Sequence, residues 1–154
     1  ISKEKLITPM IIGDYVYNYW QDDEYPRGIW RRKSFSDFIA NKGGWDTLLD
    51  IGELSEKEGI NWAFNGSQFA PDDVNRCVVL LSKGGSDAVY IREFDTEEKK
   101  FIESGFKVNE AKSTFEWIDI DNAYIATDFG DGSLTNAGYP RIVKLWDRET
   151  PIKD

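Results

Sequence analysis

The sequence predicts an all-β fold, a partial β-propeller of roughly two to three blades built from antiparallel meander sheets. Aromatic and β-branched residues recur with a period of two in short runs, which is typical of half-buried strands. The runs are bounded by Gly, Asp, Asn and Pro, which favour turns. The pattern also starts afresh three times in 154 residues, as expected for repeated blades. A β-sandwich has similar short strands and is the structural alternative.

The first meander is predicted from two clear runs and a third, weaker one. Residues 15–20 and 28–33 form strands on either side of a turn, and residues 45–51 form a third antiparallel strand. Residues 53–59 then form a short helical turn that ends at Gly59, because glycine readily adopts the left-handed conformation found after helices.

The second meander opens with a short strand over residues 62–64. Asn65, Gly66 and Ser67 are turn-forming residues, so they predict a turn at this point. Two longer strands and a brief final one follow, over residues 76–82, 88–94 and 100–102.

The third meander is predicted to begin near Ser113. Its strands cover residues 113–118, 123–128 and 141–146, with a turn over residues 119–122 and a long loop over residues 129–140. The absence of sustained helical periodicity argues against an α/β fold.

Large aromatic residues and the single cysteine are expected to fill the core. Five of the six tryptophans lie within or beside the predicted strands, where alternating positions are buried between sheets: Trp20, Trp30, Trp62, Trp117 and Trp146. The alternative is an exposed aromatic platform that stacks on a sugar or proline ring. Cys77 opens an apolar run, which predicts a buried and unreactive thiol.

Composition excludes several classes of partner. A formal net charge of −9 argues against binding to nucleic acid, which requires clustered Lys and Arg. One cysteine permits no internal disulfide. No apolar stretch approaches the roughly 18 residues of a membrane span, and no signal peptide is recognised. We therefore expect no membrane partner and a cytoplasmic location.

The residues present also limit the chemistry. The chain has no histidine, so it cannot hold a Ser-His-Asp or Cys-His catalytic site. The aspartates Asp119, Asp121, Asp128 and Asp131 could ligate calcium, but the spacing of a calcium loop is lacking. Hydrogen bonding to their own turns is the favoured role. We predict no catalytic residue, no metal site and no cofactor.

At the level of short motifs the chain resembles the prolyl oligopeptidase family of serine peptidases. The segments that carry the resemblance occur in the family's order and cover nearly the whole chain: residues 17–22, 26–32, 45 with 48–50, 81–88, 92–95, 110–113, 117–119, 127–130 and 138–141. The resemblance implies a seven-bladed propeller that covers an α/β-hydrolase domain, whose Ser, Asp and His cleave short peptides after proline.

Within such a parent, residues 1–154 are expected to form a single fragment of the propeller, without the catalytic hydrolase domain. The propeller acts as a size filter that admits short peptides to a central cavity. The chain itself is then non-catalytic, and its partners are those peptides and the hydrolase domain.

Two further expectations follow from the resemblance. In the family the innermost strand of each blade lines the cavity, and the resemblance implies that residues 110–113 open such a strand in the third blade. Lys112 is therefore the candidate substrate-facing residue; a solvated lysine at a strand end is the alternative. Open blade faces and strand edges predict that the fragment forms a homo-oligomer. The competing functional hypothesis is a freestanding β-rich binding module, for example for carbohydrate.

Overall fold

A computed structural model describes residues 5–6 and 9–152, and these residues form thirteen strands and two helices. The chain divides into two compact units, residues 1–63 and 64–154. In the described part of the chain, neither helix has the length and apolar character needed to cross a membrane. The predicted all-β fold of antiparallel sheets is confirmed.

The first unit contains a five-stranded antiparallel sheet, here called the first sheet. Strands β1 (Lys5–Leu6) and β2 (Met10–Ile12) both pair with β3 (Tyr15–Gln21). Strand β3 pairs with β4 (Ile29–Ser34), which in turn pairs with β5 (Asp46–Asp50). The three strands predicted for the first meander are therefore confirmed, with boundaries shifted by a residue or so.

Two short helices complete the first unit. Helix α1 (Phe35–Ile39) begins after Ser34, whose hydroxyl accepts a hydrogen bond from the Asp37 amide at 3.2 Å. Helix α2 (Ile51–Glu58) is capped in the same way by Asp50 and ends at Gly59, which has a φ of 67°. The predicted helical turn at α2 is confirmed, whereas α1 was not predicted.

The second unit contains two sheets. The second sheet is built from β6 (Trp62–Ala70), β7 (Asp73–Lys83) and β8 (Val89–Asp95), followed by β9 (Lys100–Phe101) and β10 (Lys107–Ala111). Its order is β10-β8-β7-β6, and β9 also pairs with β8. The third sheet is the meander β11 (Thr114–Asp119), β12 (Asn122–Ala126) and β13 (Lys144–Asp147).

Two local predictions for the second unit are wrong. Asn65, Gly66 and Ser67 do not form a turn but lie within the nine-residue strand β6. Residues 110 and 111, which the family resemblance placed at the opening of a strand of the third blade, instead end β10, the outer strand of the second sheet. In both cases pairing with a neighbouring strand outweighs the local preference of the residues.

The second and third sheets share one apolar core. Its largest members are aromatic, and Phe106 is at the centre, with ring centroids 5.6 Å from Phe115 and 4.8 Å from Trp146. Aliphatic residues from both sheets complete it: Val78, Val89, Ile91, Val108 and Ile125. A hydrogen bond also joins the two sheets: the Trp117 indole N–H of β11 donates to the Gln68 backbone carbonyl of β6 at 2.8 Å.

Three of the five tryptophans that were predicted to fill the core are buried. Trp30, Trp62 and Trp146 are buried, whereas Trp20 and Trp117 are only half-buried. Cys77 is fully buried, as predicted. Burial raises the pKa of its thiol well above the ordinary value, and the nearby Glu93 carboxylate raises it further.

A buried carboxylate links the two sheets of the second unit. Glu93 lies on β8, is fully buried, and forms ion pairs with Arg76 of β7 and with Arg148, which follows β13. The Arg148 Nη1 atom is 2.9 Å from Glu93 Oε1, and the Phe106 amide donates to the same oxygen at 2.8 Å. A Cβ on Gly105 would lie 2.8 Å from Glu93 Cβ, so only glycine fits there without displacement.

Replacing this carboxylate is expected to be strongly destabilising. Glu93→Gln keeps the side-chain volume but removes the charge that two arginines share, and breaking a buried ion pair typically costs about 3 kcal/mol. The measurement is the urea midpoint of unfolding, with Asp121→Asn as the control. Asp121 contacts the same Arg148 at 3.2 Å, but its side chain is 68% exposed, so the control should lose no more than about 1 kcal/mol. Equal losses in the two variants would contradict the role given to Glu93.

Candidate peptide-facing site

Lys112 lies in the two-residue connection between β10 and β11, the first strand of the third sheet. Its side chain is half-buried. The Nζ atom donates a hydrogen bond to the Ala137 carbonyl at 2.7 Å and lies 4.3 Å from the centre of the Tyr139 ring. An ammonium has three N–H donors, and this contact uses one of them.

The residues beneath Lys112 belong to the long loop between β12 and β13. Ser133 is buried and organises the first half of this loop: its hydroxyl donates to the Gly130 carbonyl at 2.6 Å and accepts from the Phe129 amide at 2.9 Å. Thr135 organises the tip, because its amide donates to the Tyr139 carbonyl at 2.8 Å and its hydroxyl accepts from the Tyr139 amide. The loop is therefore an ordered hairpin.

Hydroxyl groups join this loop to the start of the third sheet. The Ser113 and Thr127 hydroxyl oxygens are 2.7 Å apart, and Thr127 is buried. Tyr139 remains 54% exposed. The arrangement presents a cation and an exposed aromatic ring side by side, which suits binding to a peptide backbone or a proline ring.

Two of the four aspartates considered for calcium binding, Asp119 and Asp128, accept hydrogen bonds within their own turns, and Asp121 contacts Arg148. Asp119 Oδ1 accepts from the Asp121 amide at 2.9 Å and from the Asn122 side chain at 3.0 Å, and these bonds lower the pKa of Asp119. Asp128 Oδ1 accepts from the Gly130 amide at 2.9 Å. In the part of the chain that the structure describes, no group of three or more His, Cys, Asp or Glu side chains is arranged to hold a metal ion.

Sequence reasoning singled out Lys112 but missed its partners. Ala137 and Tyr139 lie in a loop that was predicted only as a loop, and the contact spans 25 residues. The signal available in the sequence was the run of turn-forming residues around Thr135 and Gly138, which favours an ordered hairpin over an open loop.

Comparison with protein families shows which family the chain matches. The family model described as prolyl oligopeptidase, N-terminal beta-propeller domain, matches residues 1–147. An uncharacterised peptidase of Sinorhizobium fredii is 33% identical over 148 residues, covering 96% of this chain and 20% of that protein. An uncharacterised peptidase of Rickettsia prowazekii is 31% identical over 160 residues, covering 99% and 22%.

Solved structures agree with this assignment. A post-proline cleaving enzyme from Rickettsia typhi superimposes with a TM-score of 0.85 at 32% identity, over 96% of this chain and 23% of that one. Oligopeptidase B from Leishmania major shares the fold, with a TM-score of 0.68 at 15% identity, over 97% of this chain and 20% of that one. The chain thus spans about a fifth of the length of the curated relatives it matches. It belongs to the prolyl oligopeptidase family and forms part of the N-terminal β-propeller domain that the matching family model describes.

Proposed function

We propose that the chain is part of the substrate-gating propeller of a peptidase that cleaves short peptides after proline. In this proposal the chain is one part of a seven-bladed domain and performs no bond cleavage itself. The related protein from Rickettsia typhi is a post-proline cleaving enzyme, which supports the substrate class. The observation that carries the non-catalytic role is that propeller sheets are present while the 154 residues contain no histidine.

Other potential nucleophiles support the same role. Cys77 is fully buried and the pKa of its thiol is raised, so the reactive thiolate is disfavoured. The Ser113 and Thr127 hydroxyls bond to each other rather than to a general base. The Ser133 hydroxyl donates to a backbone carbonyl. None of these groups has the activating partner that covalent catalysis needs.

Within this role, Lys112 and Tyr139 act as a peptide-facing pair at the start of the third sheet. Lys112 keeps two N–H donors beyond the bond to Ala137, which can reach peptide carbonyl oxygens. The exposed Tyr139 ring offers a flat surface for a proline side chain. Their contribution is to binding and passage of the peptide, not to the chemical step.

The first test uses the whole protein that contains these residues, together with the 154-residue chain. A short chromogenic Gly-Pro substrate should be hydrolysed by the whole protein and not by the chain alone. In the whole protein, Lys112→Met should raise KM about three- to tenfold, the equivalent of roughly 1 kcal/mol of lost binding, and leave kcat unchanged.

The matched control is Lys57→Met, which removes an exposed lysine at the end of helix α2. A KM for Lys112→Met equal to that of the control would contradict the role of Lys112. Hydrolysis by the 154-residue chain would contradict its non-catalytic role. Failure of the whole protein to cleave after proline would contradict the proposed parent activity.

We also propose that the 154-residue chain, studied by itself, self-associates through the outer face of the third sheet. Tyr124 pairs with Leu145 across β12 and β13, and these side chains are 50% and 59% exposed. Ile118 on β11 and Val143, just before β13, are also exposed. The opposite face of the sheet is buried in the core, and the outer face presents these exposed apolar side chains to a second copy.

Light scattering at micromolar concentration should give the mass of a dimer or larger assembly. Leu145→Glu should shift the chain to a monomer, because burying an unpaired charge in such an interface is unfavourable. Ile11→Glu is the control, since Ile11 is 60% exposed but lies in the first unit. A monomeric mass for the unmodified chain would contradict self-association, and an unchanged mass for Leu145→Glu would contradict the surface.

A further inference from the structure

Arg31 of strand β4 is held between two tryptophan rings in the first sheet. Its guanidinium carbon lies 4.8 Å from the centre of the Trp20 ring and 4.6 Å from the centre of the Trp45 ring. The Nε atom donates to the Asn18 side-chain oxygen at 2.8 Å. Stacking on two rings, together with one hydrogen bond, fixes both the position and the plane of the guanidinium group.

This arrangement leaves the two terminal amino groups of the Arg31 guanidinium available to a ligand. Within residues 5–6 and 9–152, neither terminal amino group of Arg31 takes part in a hydrogen bond or an ion pair. Both nitrogens reach solvent. Partial burial lowers the pKa of Arg31, and the nearby Asp22 carboxylate opposes that shift. An arginine nevertheless stays protonated at neutral pH.

The Asp22 carboxylate accepts hydrogen bonds from donors other than the Arg31 guanidinium. It accepts a hydrogen bond from the Trp20 indole at 2.7 Å and another from the Tyr25 amide at 2.8 Å. These bonds lower the pKa of Asp22 and hold its oxygens toward its own turn. Asp22 therefore orients the Trp20 ring that covers Arg31.

A second cation lies on the same side of the strand. Residues 31 and 33 are two apart on β4, and side chains two apart point to the same face of a sheet. The Lys33 Nζ atom lies 5.5 Å from the centre of the Trp45 ring. Arg31 and Lys33 thus converge on one ring and form a small positive patch on a chain of formal net charge −9.

We propose that Arg31, Lys33, Trp20 and Trp45 form a binding site for a carboxylate group of a peptide. The two terminal amino groups of Arg31 can donate parallel hydrogen bonds to both carboxylate oxygens, and Lys33 adds a second positive charge. The indole rings contact the apolar part of the bound residue. A nucleic acid is a poor occupant, because the acidic chain repels an extended phosphate backbone.

The direct test is an NMR titration of the 154-residue chain at low salt. One probe is a short glutamate peptide with blocked ends, and the other is an alanine peptide with a free C-terminal carboxylate. The first should cause saturable shifts of the Trp20 and Trp45 indole N–H signals and of the Arg31 Nε–H signal, with a Kd of about 1 mM. Shifts with the glutamate peptide alone assign the site to acidic side chains, and shifts with both assign it to any peptide carboxylate.

Variants separate this site from general charge effects. Arg31→Gln should weaken binding at least tenfold, while Lys33→Gln should weaken it about threefold and leave the stacked arginine in place. Arg141→Gln is the matched control, because Arg141 is an exposed arginine in the second unit. The proposal is overturned if neither peptide gives saturable shifts, if Arg31→Gln binds as the unmodified chain does, or if Arg141→Gln loses binding equally. Tighter binding of inorganic phosphate than of the glutamate peptide would also overturn it.

Discussion

The Glu93 carboxylate is a full negative charge with no exposure to solvent, and it can exist there only because two sheets supply its partners. Removing a carboxylate from water costs several kcal/mol, which must be offset by good geometry and by hydrogen bonds to both oxygens. Arg76 comes from the same sheet as Glu93, whereas Arg148 comes from the end of the third sheet. The Glu93 carboxylate therefore has both of its arginine partners only when the two sheets are folded and in register.

Several residues around the buried Glu93 carboxylate are arranged to accommodate it. Gly105 lacks a side chain where Glu93 is closest, and this lets the Phe106 amide reach the carboxylate. Phe106 then places its ring at the centre of the shared core. Arg148 also donates to the Ile120 carbonyl, which fixes the β11–β12 turn. In the same unit, Lys112 contacts the loop that carries Tyr139.

Sequence patterns predicted the parts of the fold that depend on local alternation. Strands β3, β4 and β8 are runs that contain aromatic and β-branched residues, and they were predicted within a residue or so of their observed ends. The Asn65-Gly66 pair misled the prediction, because pairing with β7 keeps this segment within a strand even though Gly66 has a φ of 109°. Helix α1 is only five residues long, and its cap at Ser34 is a weak signal. The partners of Lys112 and of Arg31 come from distant positions, which alternation within one segment cannot specify.

Hydrogen exchange in the native 154-residue chain tests most directly whether Glu93 makes the second and third sheets one cooperative unit. Amides such as those of Ile91 and Ile125, one in each sheet, should exchange with the same free energy of opening. In Glu93→Gln, the amides of the third sheet should become less protected than those of the second, because the link through Arg148 is lost. A third sheet that already opens separately in the unmodified chain would contradict this account, as would equal protection of both sheets in the variant.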